Sequence, residues 1–138
     1  MAQQLQLDVV TPERRVLSED VDMVVVPGLG GELGILPGHT PLISQLQTGV
    51  LSNTQGGRIS QLHISGGFLE VRDDHVSVLA EIAERPEEID AAAARLAREQ
   101  VEKRLNSWSG TEEDLEVARV EFDRASVRLQ LATGKAGS

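Results

Sequence analysis

Cysteine is absent from this chain of 138 residues, and aromatic residues make up only 2% of it. Without cysteine the chain can form neither a disulfide nor a thiolate nucleophile, which is consistent with a reducing compartment. The aromatic residues, Phe68, Trp108 and Phe122, are too few for an ordinary surface that stacks bases or sugars. The hydrophobic core is therefore predicted to consist of Val, Leu, Ile and Ala.

Positive charge is also scarce, because 13 basic residues face 22 acidic ones and the formal net charge is −9. This charge repels phosphate backbones and anionic lipids, so we expect neither a nucleic acid partner nor electrostatic docking on a membrane. The aliphatic run at residues 24–26 is far too short to span a bilayer. No secretory signal pattern opens the sequence. We expect a soluble protein that meets a membrane only through other proteins, without direct membrane insertion.

The first part of the chain has the pattern of short β-strands. Apolar residues between positions 4 and 82 alternate or form short blocks, separated by turn signals at residues 11–12, 27–28, 55–58, 66–67 and 72–75. Many short strands with closely spaced turns are typical of an antiparallel β-sandwich or barrel. No segment with helical periodicity interrupts them, which argues against a parallel α/β sheet.

The pattern changes after Pro86, where two helices are predicted. Asp90 is a good N-cap for a helix over residues 91–105, and Thr111 begins a second helix that reaches about residue 132. We therefore predict an α+β protein: an antiparallel β-sandwich over residues 1–85, followed by an antiparallel two-helix hairpin over residues 86–138. The predicted apolar seam of the hairpin consists of Ala94, Ala97, Val101 and Leu105 in the first helix and Leu115, Ala118, Phe122, Ala125, Leu129 and Ala132 in the second.

About half of this seam is alanine, which makes the hairpin weak. A buried Leu or Phe contributes roughly 1.5–3 kcal/mol, whereas a buried Ala contributes less than about 1 kcal/mol. Little net stability remains after the entropy of ordering is deducted. The hairpin is therefore expected to open or to leave the sandwich at modest cost, although a hairpin that stays packed permanently is an open alternative.

The sequence contains no recognisable catalytic constellation. Gly28 and Gly30 begin a G-x-G-x-x-G pattern, but residue 33 is Leu and no helix follows. The three histidines, His39, His63 and His75, do not have metal-ligand spacing, and His63 is predicted to point to solvent because it alternates with Leu62 and Ile64. We therefore expect no catalytic residue and no metal site, and the chain alone is not expected to be an enzyme.

The most distinctive segment is residues 31–42, Gly-Glu-Leu-Gly-Ile-Leu-Pro-Gly-His-Thr-Pro-Leu. Glycines and prolines mixed with Leu33, Ile35, Leu36, Leu42 and Ile43 predict a tightly bent loop that packs on the core. Together with Ser-Gly-Gly-Phe-Leu-Glu-Val at residues 65–71, this segment resembles the epsilon subunits of bacterial F-type ATP synthases. The resemblance extends over residues 4–132.

This resemblance implies a non-catalytic subunit of the central stalk, which is part of the rotor. In that family the sandwich binds the gamma subunit and rests on the c-ring of the membrane sector, and it couples proton translocation to ATP synthesis. By analogy the loop with Gly31, Glu32 and His39 would face the c-ring. The implied location is peripheral, on the cytoplasmic face of the bacterial plasma membrane.

The resemblance also implies a regulatory role for the hairpin, which in bacterial members inhibits ATP hydrolysis when it extends to the alpha/beta catalytic head. Basic side chains could hold such an extended state against acidic surfaces of the head. Solvated charges paired with nearby Glu residues are an equally good interpretation. The candidate residues for inhibitory contacts are Arg95, Arg98, Lys103, Arg104, Arg124 and Arg128.

Some members of the family bind ATP in the folded hairpin through the pattern Ile/Leu-Asp-x-x-Arg-Ala and further arginines. The positions that match are Ile89, Asp90, Ala94, Arg124 and Arg128. Two arginines of the pattern are missing, because Ala93 and Gln100 stand in their places. Each lost charge-assisted bond to phosphate is worth roughly 1.5–3 kcal/mol. We therefore expect no cofactor and weak or absent ATP binding, with an ATP-sensing regulatory module as the alternative function.

Overall fold

The computed structural model describes residues 3–134, which divide into two compact units between Glu84 and Arg85. The predicted domain boundary lies at residues 85/86, and the outermost residues of the predicted domains, 1–2 and 135–138, lie outside the described range. The first unit consists of eight strands: β1 (Leu5–Val10), β2 (Arg15–Val21), β3 (Met23–Gly28), β4 (Gly31–Ile35), β5 (Leu42–Gln45), β6 (Gly49–Gln55), β7 (Arg58–Arg72) and β8 (His75–Glu84).

The strands are hydrogen-bonded in the order β2-β1-β8-β7-β6-β3-β4, and β5 pairs with β7 outside this path. Adjacent strands are antiparallel, except for β1 and β8, which run parallel. The long strand β7 pairs with β6 over residues 58–64 and with β5 over residues 68–71. Because of this change of partner, β7 joins β6 and β5 within one hydrogen-bonded sheet. The predicted β-sandwich followed by two helices is confirmed.

The change of partner along β7 occurs at Gly66 and Gly67, whose φ angles are +73° and +110°. A Cβ atom on Gly67 would lie 2.0 Å from the carbonyl oxygen of Leu79 on β8. Only glycine therefore permits both the backbone conformation and the close approach of β8 at this point. The Gly-Gly pair that looks like a turn in the sequence is a bend inside one strand.

The core of the sandwich is aliphatic, as predicted. It contains no aromatic residue among those described, because Phe68 is exposed and Trp108 and Phe122 are not part of the first unit. Its largest fully buried apolar side chains are Leu5, Leu7, Ile35, Leu51, Ile64, Leu69, Val9, Val21, Val24, Val26 and Val71. Branched aliphatic side chains fit the half-buried pleated surface of strands, so composition and fold agree.

The second unit contains a short 3₁₀ helix (Pro86–Glu88), α1 (Ala91–Asn106) and α2 (Glu112–Thr133). The Asp90 carboxylate accepts a hydrogen bond from the Ala93 N–H (3.0 Å), and the Thr111 hydroxyl accepts one from the Asp114 N–H (3.1 Å). Both predicted N-caps are thus present, and α2 ends at Gly134 in the left-handed conformation. Within the described residues, no helix combines the length and the apolar composition that crossing a membrane requires.

The two helices pack against each other as an antiparallel pair. Ala94 and Val101 of α1 and Ala118 and Ala125 of α2 are buried, in agreement with the predicted seam. The other predicted seam residues are half-buried, namely Ala97, Leu105, Leu115, Phe122, Leu129 and Ala132. Leu131, which is not in the predicted seam, is buried at the end of α2.

Candidate functional site

Strands β3 and β4 form a hairpin whose turn contains Leu29 and Gly30. Gly31 pairs with Gly28, and Glu32 lies opposite Pro27. The side chain of Glu32 is exposed, and Gly31 has a φ of +130°. The predicted bent loop is thus a paired, two-stranded structure over residues 28–35. Because of its backbone hydrogen bonds, this hairpin is stiffer than an irregular loop of the same composition would be.

The expectation that all five aliphatic residues of this region pack on the core is wrong for two of them. Ile35 is fully buried and Leu33 and Leu42 pack against the core, but Leu36 is 55% exposed and Ile43 is 72% exposed. Strand alternation explains the difference. Leu42 lies opposite the buried Val71, so that its neighbour Ile43 faces the other side of the sheet.

Residues 36–39 form a tight turn that carries His39. The His39 N–H donates to the carbonyl oxygen of Leu36 (3.1 Å), and Gly38 has a φ of +84°. The Gly38 N–H donates to the Oδ1 atom of Asp74 (2.7 Å), which lies in the turn between β7 and β8. His39 is half-buried, and its Nδ1 atom lies 2.7 Å from the carbonyl oxygen of Thr40. Gly31 and Glu32 thus lie at the start of β4, and His39 lies in the turn that follows the other end of this strand.

The most conspicuous apolar surface of the sandwich lies on strands β5, β7, β8 and β1. Phe68 lies directly opposite Leu79, and these side chains are 55% and 59% exposed. We call this surface the outer face and define it by Val10, Ile43, Phe68, Glu70, Ser77 and Leu79, which are cross-strand neighbours on the side opposite the core. A depression of about 440 Å³ at its edge is lined by Pro41, Leu42, Ile43, Glu70, Val71 and Arg72. Clustered exposed apolar side chains of this kind mark interaction surfaces.

A hydrogen-bonded carboxylate borders the outer face. The Oδ2 atom of Asp8 on β1 lies 2.6 Å from Nε2 of His75 on β8. The hydrogen bond from Ser18 on β2 lowers the pKa of Asp8, and His75 lowers it further, whereas burial acts in the opposite direction. The net result is an Asp8 pKa below its usual value, so this carboxylate is charged at neutral pH.

His63 is fully buried, which contradicts the prediction that it points to solvent. Its Nδ1 atom lies 2.8 Å from Oε1 of Glu84, its direct cross-strand neighbour on β8. Residues 62–65 are buried on both faces of the sheet, so alternation with Leu62 and Ile64 does not imply exposure there. The carboxylate partner is what makes burial of an imidazole acceptable.

The candidate nucleotide-binding residues all lie in the helical unit. Ile89 and Ala94 are buried, and Asp90 is exposed with its carboxylate engaged as the N-cap of α1. Arg124 and Arg128 are half-buried on α2. The antiparallel arrangement puts the first turn of α1 beside the last turn of α2, so Ile89, Asp90 and Ala94 lie nearer to Arg128 than to Arg124.

Arg98 and Arg104, which are among the candidate inhibitory residues, contact side chains of the other helix. The Nε–H of Arg98 donates to the hydroxyl of Ser126 (3.0 Å), and its guanidinium carbon lies 4.9 Å from the centre of the Phe122 ring. Arg104 contacts the carboxylate of Glu121 at 3.2 Å. Arg95 and Lys103 are exposed. In this folded state, Arg98 and Arg104 therefore join α1 to α2.

Two family models match the chain almost from end to end. The beta-sandwich domain of the ATP synthase delta/epsilon chain matches residues 4–86, and the long alpha-helix domain of the same chain matches residues 87–133. The chain belongs to the ATP synthase delta/epsilon family. Among its relatives, the ATP synthase epsilon chain of Desulforamulus reducens is 46% identical over 132 residues, which cover 96% of this chain and 99% of that one.

The chain is also similar to a second epsilon chain and, in structure, to chains of two solved ATP synthase assemblies. The epsilon chain of Geobacter sulfurreducens is 41% identical over 99% of this chain and 98% of its own. A chain in the mitochondrial ATP synthase of Euglena gracilis, solved with OSCP, F1 and c-ring, is 26% identical with a TM-score of 0.78, covering 96% of this chain and 81% of that one. A central stalk and c-ring structure from Tetrahymena thermophila, 13% identical with a TM-score of 0.62 over 94% and 97% of the two chains, shows the fold alone.

The residue-level prediction for this delta/epsilon chain did not include the outer face. The signal was present, because Phe68 has the same strand parity as Glu70, and Leu79 has the same parity as Ser77. A large apolar residue on the polar side of an alternating strand indicates an exposed contact residue.

Proposed function

We propose that this chain is a non-catalytic central-stalk subunit that links gamma to the c-ring and couples proton translocation to ATP synthesis. The exposed outer face is the observation that carries this proposal. An isolated sandwich has no evident use for an exposed Phe68–Leu79 pair, whereas a rotor subunit needs an apolar surface on which a partner docks.

The outer face suits a stable contact with gamma in both shape and chemistry. Phe68, Leu79 and Ile43 offer apolar area, while Glu70 and Ser77 supply polar groups between them. The adjoining depression of about 440 Å³ can accept a side chain of a partner. Binding energy in protein interfaces concentrates on a few such anchors surrounded by polar contacts.

The β3–β4 hairpin and the turn at residues 36–39 suit contact with the c-ring. This segment carries the exposed apolar residues Leu29 and Leu36 together with the polar Glu32 and His39. Torque can pass through this surface because the hairpin is paired along its length rather than irregular. The proposed location follows: peripheral on the cytoplasmic face of the plasma membrane, held there by the ring rather than by lipid.

We propose further that the helical hairpin inhibits ATP hydrolysis when it extends to the alpha/beta head. The alanine-rich seam supports this because little apolar burial opposes opening. Arg98 and Arg104 would exchange their partners within the hairpin for acidic partners on the head. Such a trade between two sets of contacts is what a two-state element requires.

ATP is proposed to bind the folded hairpin weakly or not at all, so ATP sensing is the less favoured alternative. Ala93 and Gln100 supply no guanidinium group, and the Asp90 carboxylate is already used as an N-cap. Titration calorimetry of the full chain with MgATP tests this point. Micromolar affinity would favour the sensing alternative and contradict the proposal.

The docking surface is tested with a matched pair of variants. Phe68→Asp puts a charge in the centre of the outer face and is expected to weaken binding to gamma by about 30-fold or more. Ile59→Asp puts the same charge on another exposed apolar position of β7, nine residues away, and is expected to leave binding unchanged. Equal effects of the two substitutions would exclude the outer face as the gamma surface.

Inhibition by the helical hairpin is tested in a catalytic head that contains gamma and lacks this subunit. Full-length chain and a truncation after Pro86 are each added back, and ATP hydrolysis is measured. If the full-length chain lowers the rate and the truncation binds without lowering it, the hairpin is the inhibitor. If both bind and neither inhibits, the inhibitory part of the proposal is wrong and the coupling part stands.

A further inference from the structure

Asp74 connects three parts of the sandwich at one corner. It is the second residue of the two-residue turn between β7 and β8 and has a φ of +59°. Its carbonyl oxygen accepts a hydrogen bond from the N–H of Gln6 (2.9 Å), which follows the start of β1. Its Oδ1 atom accepts the Gly38 N–H at 2.7 Å, across 36 positions of sequence. One residue thus ties the turn at residues 36–39 to strands β1, β7 and β8.

The turn at residues 36–39 offers this N–H because of its own geometry. Proline followed by a glycine with positive φ is the pattern of a type II turn, and the His39 N–H closes this turn on Leu36. The N–H of Gly38 takes no part in that closure, so it needs an acceptor outside the turn or water. A carboxylate is the strongest acceptor available, since the hydrogen bond is charge-assisted. The Asp74 side chain therefore fixes the orientation of the whole turn.

The neighbouring Asp73 provides an internal comparison. Both residues have positive φ angles, +52° for Asp73 and +59° for Asp74, a conformation that Asp, Asn and Gly tolerate best. The Asp73 side chain is 93% exposed, and its carboxylate approaches Arg72 only at 3.9 Å. Asp73 and Asp74 share a backbone requirement, but the structure gives only Asp74 a bond to the turn at residues 36–39.

We infer that Asp74 is a positioning residue for the surface proposed to face the c-ring, because its carboxylate holds the turn that carries His39. This inference rests on the proposed function for the identity of the partner. The physical effect can be measured without that partner: without the Asp74 acceptor, the turn at residues 36–39 loses its hydrogen bond to the β7–β8 turn and becomes more mobile.

The test compares Asp74→Asn, Asp74→Gly and Asp73→Gly in the full chain. Asn at position 74 keeps both the side-chain acceptor and the tolerance for positive φ, whereas Gly keeps only the tolerance for positive φ. Asp73→Gly relaxes the β7–β8 turn and leaves the hydrogen bond to Gly38 in place. Hydrogen exchange of the Gly38 amide is measured by NMR. Proton pumping per ATP hydrolysed is measured after each chain is added to membrane vesicles with the cognate synthase depleted of this subunit.

Asp74→Gly is expected to speed exchange of the Gly38 amide by about tenfold or more and to lower the pumping ratio. Asp74→Asn and Asp73→Gly are expected to retain both properties. Unchanged exchange in Asp74→Gly, or faster exchange with an unchanged pumping ratio, would overturn the inference, and so would an Asp74→Asn chain as defective as Asp74→Gly. If wild-type chain itself fails to restore pumping, the proposed function fails, and the inference with it, before any variant is compared.

Discussion

The two units of this chain are built from different amounts of buried apolar surface. The sandwich buries Leu, Ile and Val from nearly every strand, whereas three of the five residues buried in α1 and α2 are alanines. Each large aliphatic side chain contributes roughly 1.5–3 kcal/mol on burial, and an alanine contributes less than about 1 kcal/mol. The first unit is therefore expected to open only with global unfolding, and the second to open at much lower free energy.

Under the proposed function, this difference suits the two units to different mechanical roles. A surface that passes torque must not deform under load, and the strands that carry the outer face and the β3–β4 hairpin belong to one hydrogen-bonded sheet. A switch must have two states separated by a few kcal/mol. A helix pair held by alanines and a few polar contacts meets that condition.

The largest effect is expected from a substitution that disrupts the sandwich. Gly67→Ala is expected to destabilise the sandwich by about 3 kcal/mol or more, because it combines backbone strain at positive φ with a clash against the carbonyl of Leu79. Site-resolved hydrogen exchange should show the loss in the strands. Gly30→Ala, in the β3–β4 turn with open space around its Cβ position, is the control and should cost less than about 1 kcal/mol.

A smaller change is expected from loosening the hairpin. Arg98→Ala removes a contact with the Phe122 ring and a hydrogen bond to Ser126, and should lower the opening free energy of the hairpin by about 1–2 kcal/mol. Amides in α1 and α2 should exchange faster while those of the sandwich keep their rates. Arg95→Ala, at an exposed position one turn earlier, is the control. A loss of protection in the strands as well would show that the two units open together.

Much of this fold can be predicted from the sequence because its local signals are strong. Asp90 and Thr111 are N-caps, and the turn signals at residues 55–58 and 72–75 are indeed turns between paired strands. The Gly66-Gly67 bend and the parallel pairing of β1 with β8 could not be predicted. Both depend on which strands meet in space, and local chemistry does not encode that pairing.

The candidate site was predictable only in part, for the same reason. The β3–β4 region stands out through its composition, whereas the outer face exists only because β5, β7, β8 and β1 are neighbours. Strand alternation predicts that His63 is exposed. It is buried, because its carboxylate partner Glu84, 21 positions away in sequence, lies beside it in the sheet. The partners of Arg98 and Arg104 likewise follow from helix register and not from either helix alone.

The two units are also expected to respond differently to acid. Because the Asp8 pKa is lower in the folded sandwich than in the unfolded chain, its carboxylate stabilises the fold above about pH 4, and this contribution is lost as the pH falls below that value. Asp8→Asn should therefore cost about 1 kcal/mol at pH 7 and progressively less as the pH falls below about 4. Denaturation of both chains across this range measures the effect, with Asp73→Asn as the exposed control. A constant difference at every pH would exclude the ionised carboxylate as the cause.

Asp123 of α2 should show the opposite sign, with the smallest effect of the four substitutions. Partial burial, and secondarily the nearby Glu116, raise its pKa, so the charged carboxylate is less favourable in the folded helix than in the unfolded chain. Asp123→Asn is therefore expected to stabilise the hairpin at pH 7, by less than about 0.5 kcal/mol because solvent screens an exposed group. The gain should disappear below about pH 4, where Asp123 is protonated in both states.

Hydrogen exchange of α2 amides at pH 7 and pH 3 measures this difference. A destabilised hairpin at pH 7 would mean that Asp123 makes a favourable contact in the folded state, and the hairpin would then depend on its charges more than its alanine seam suggests.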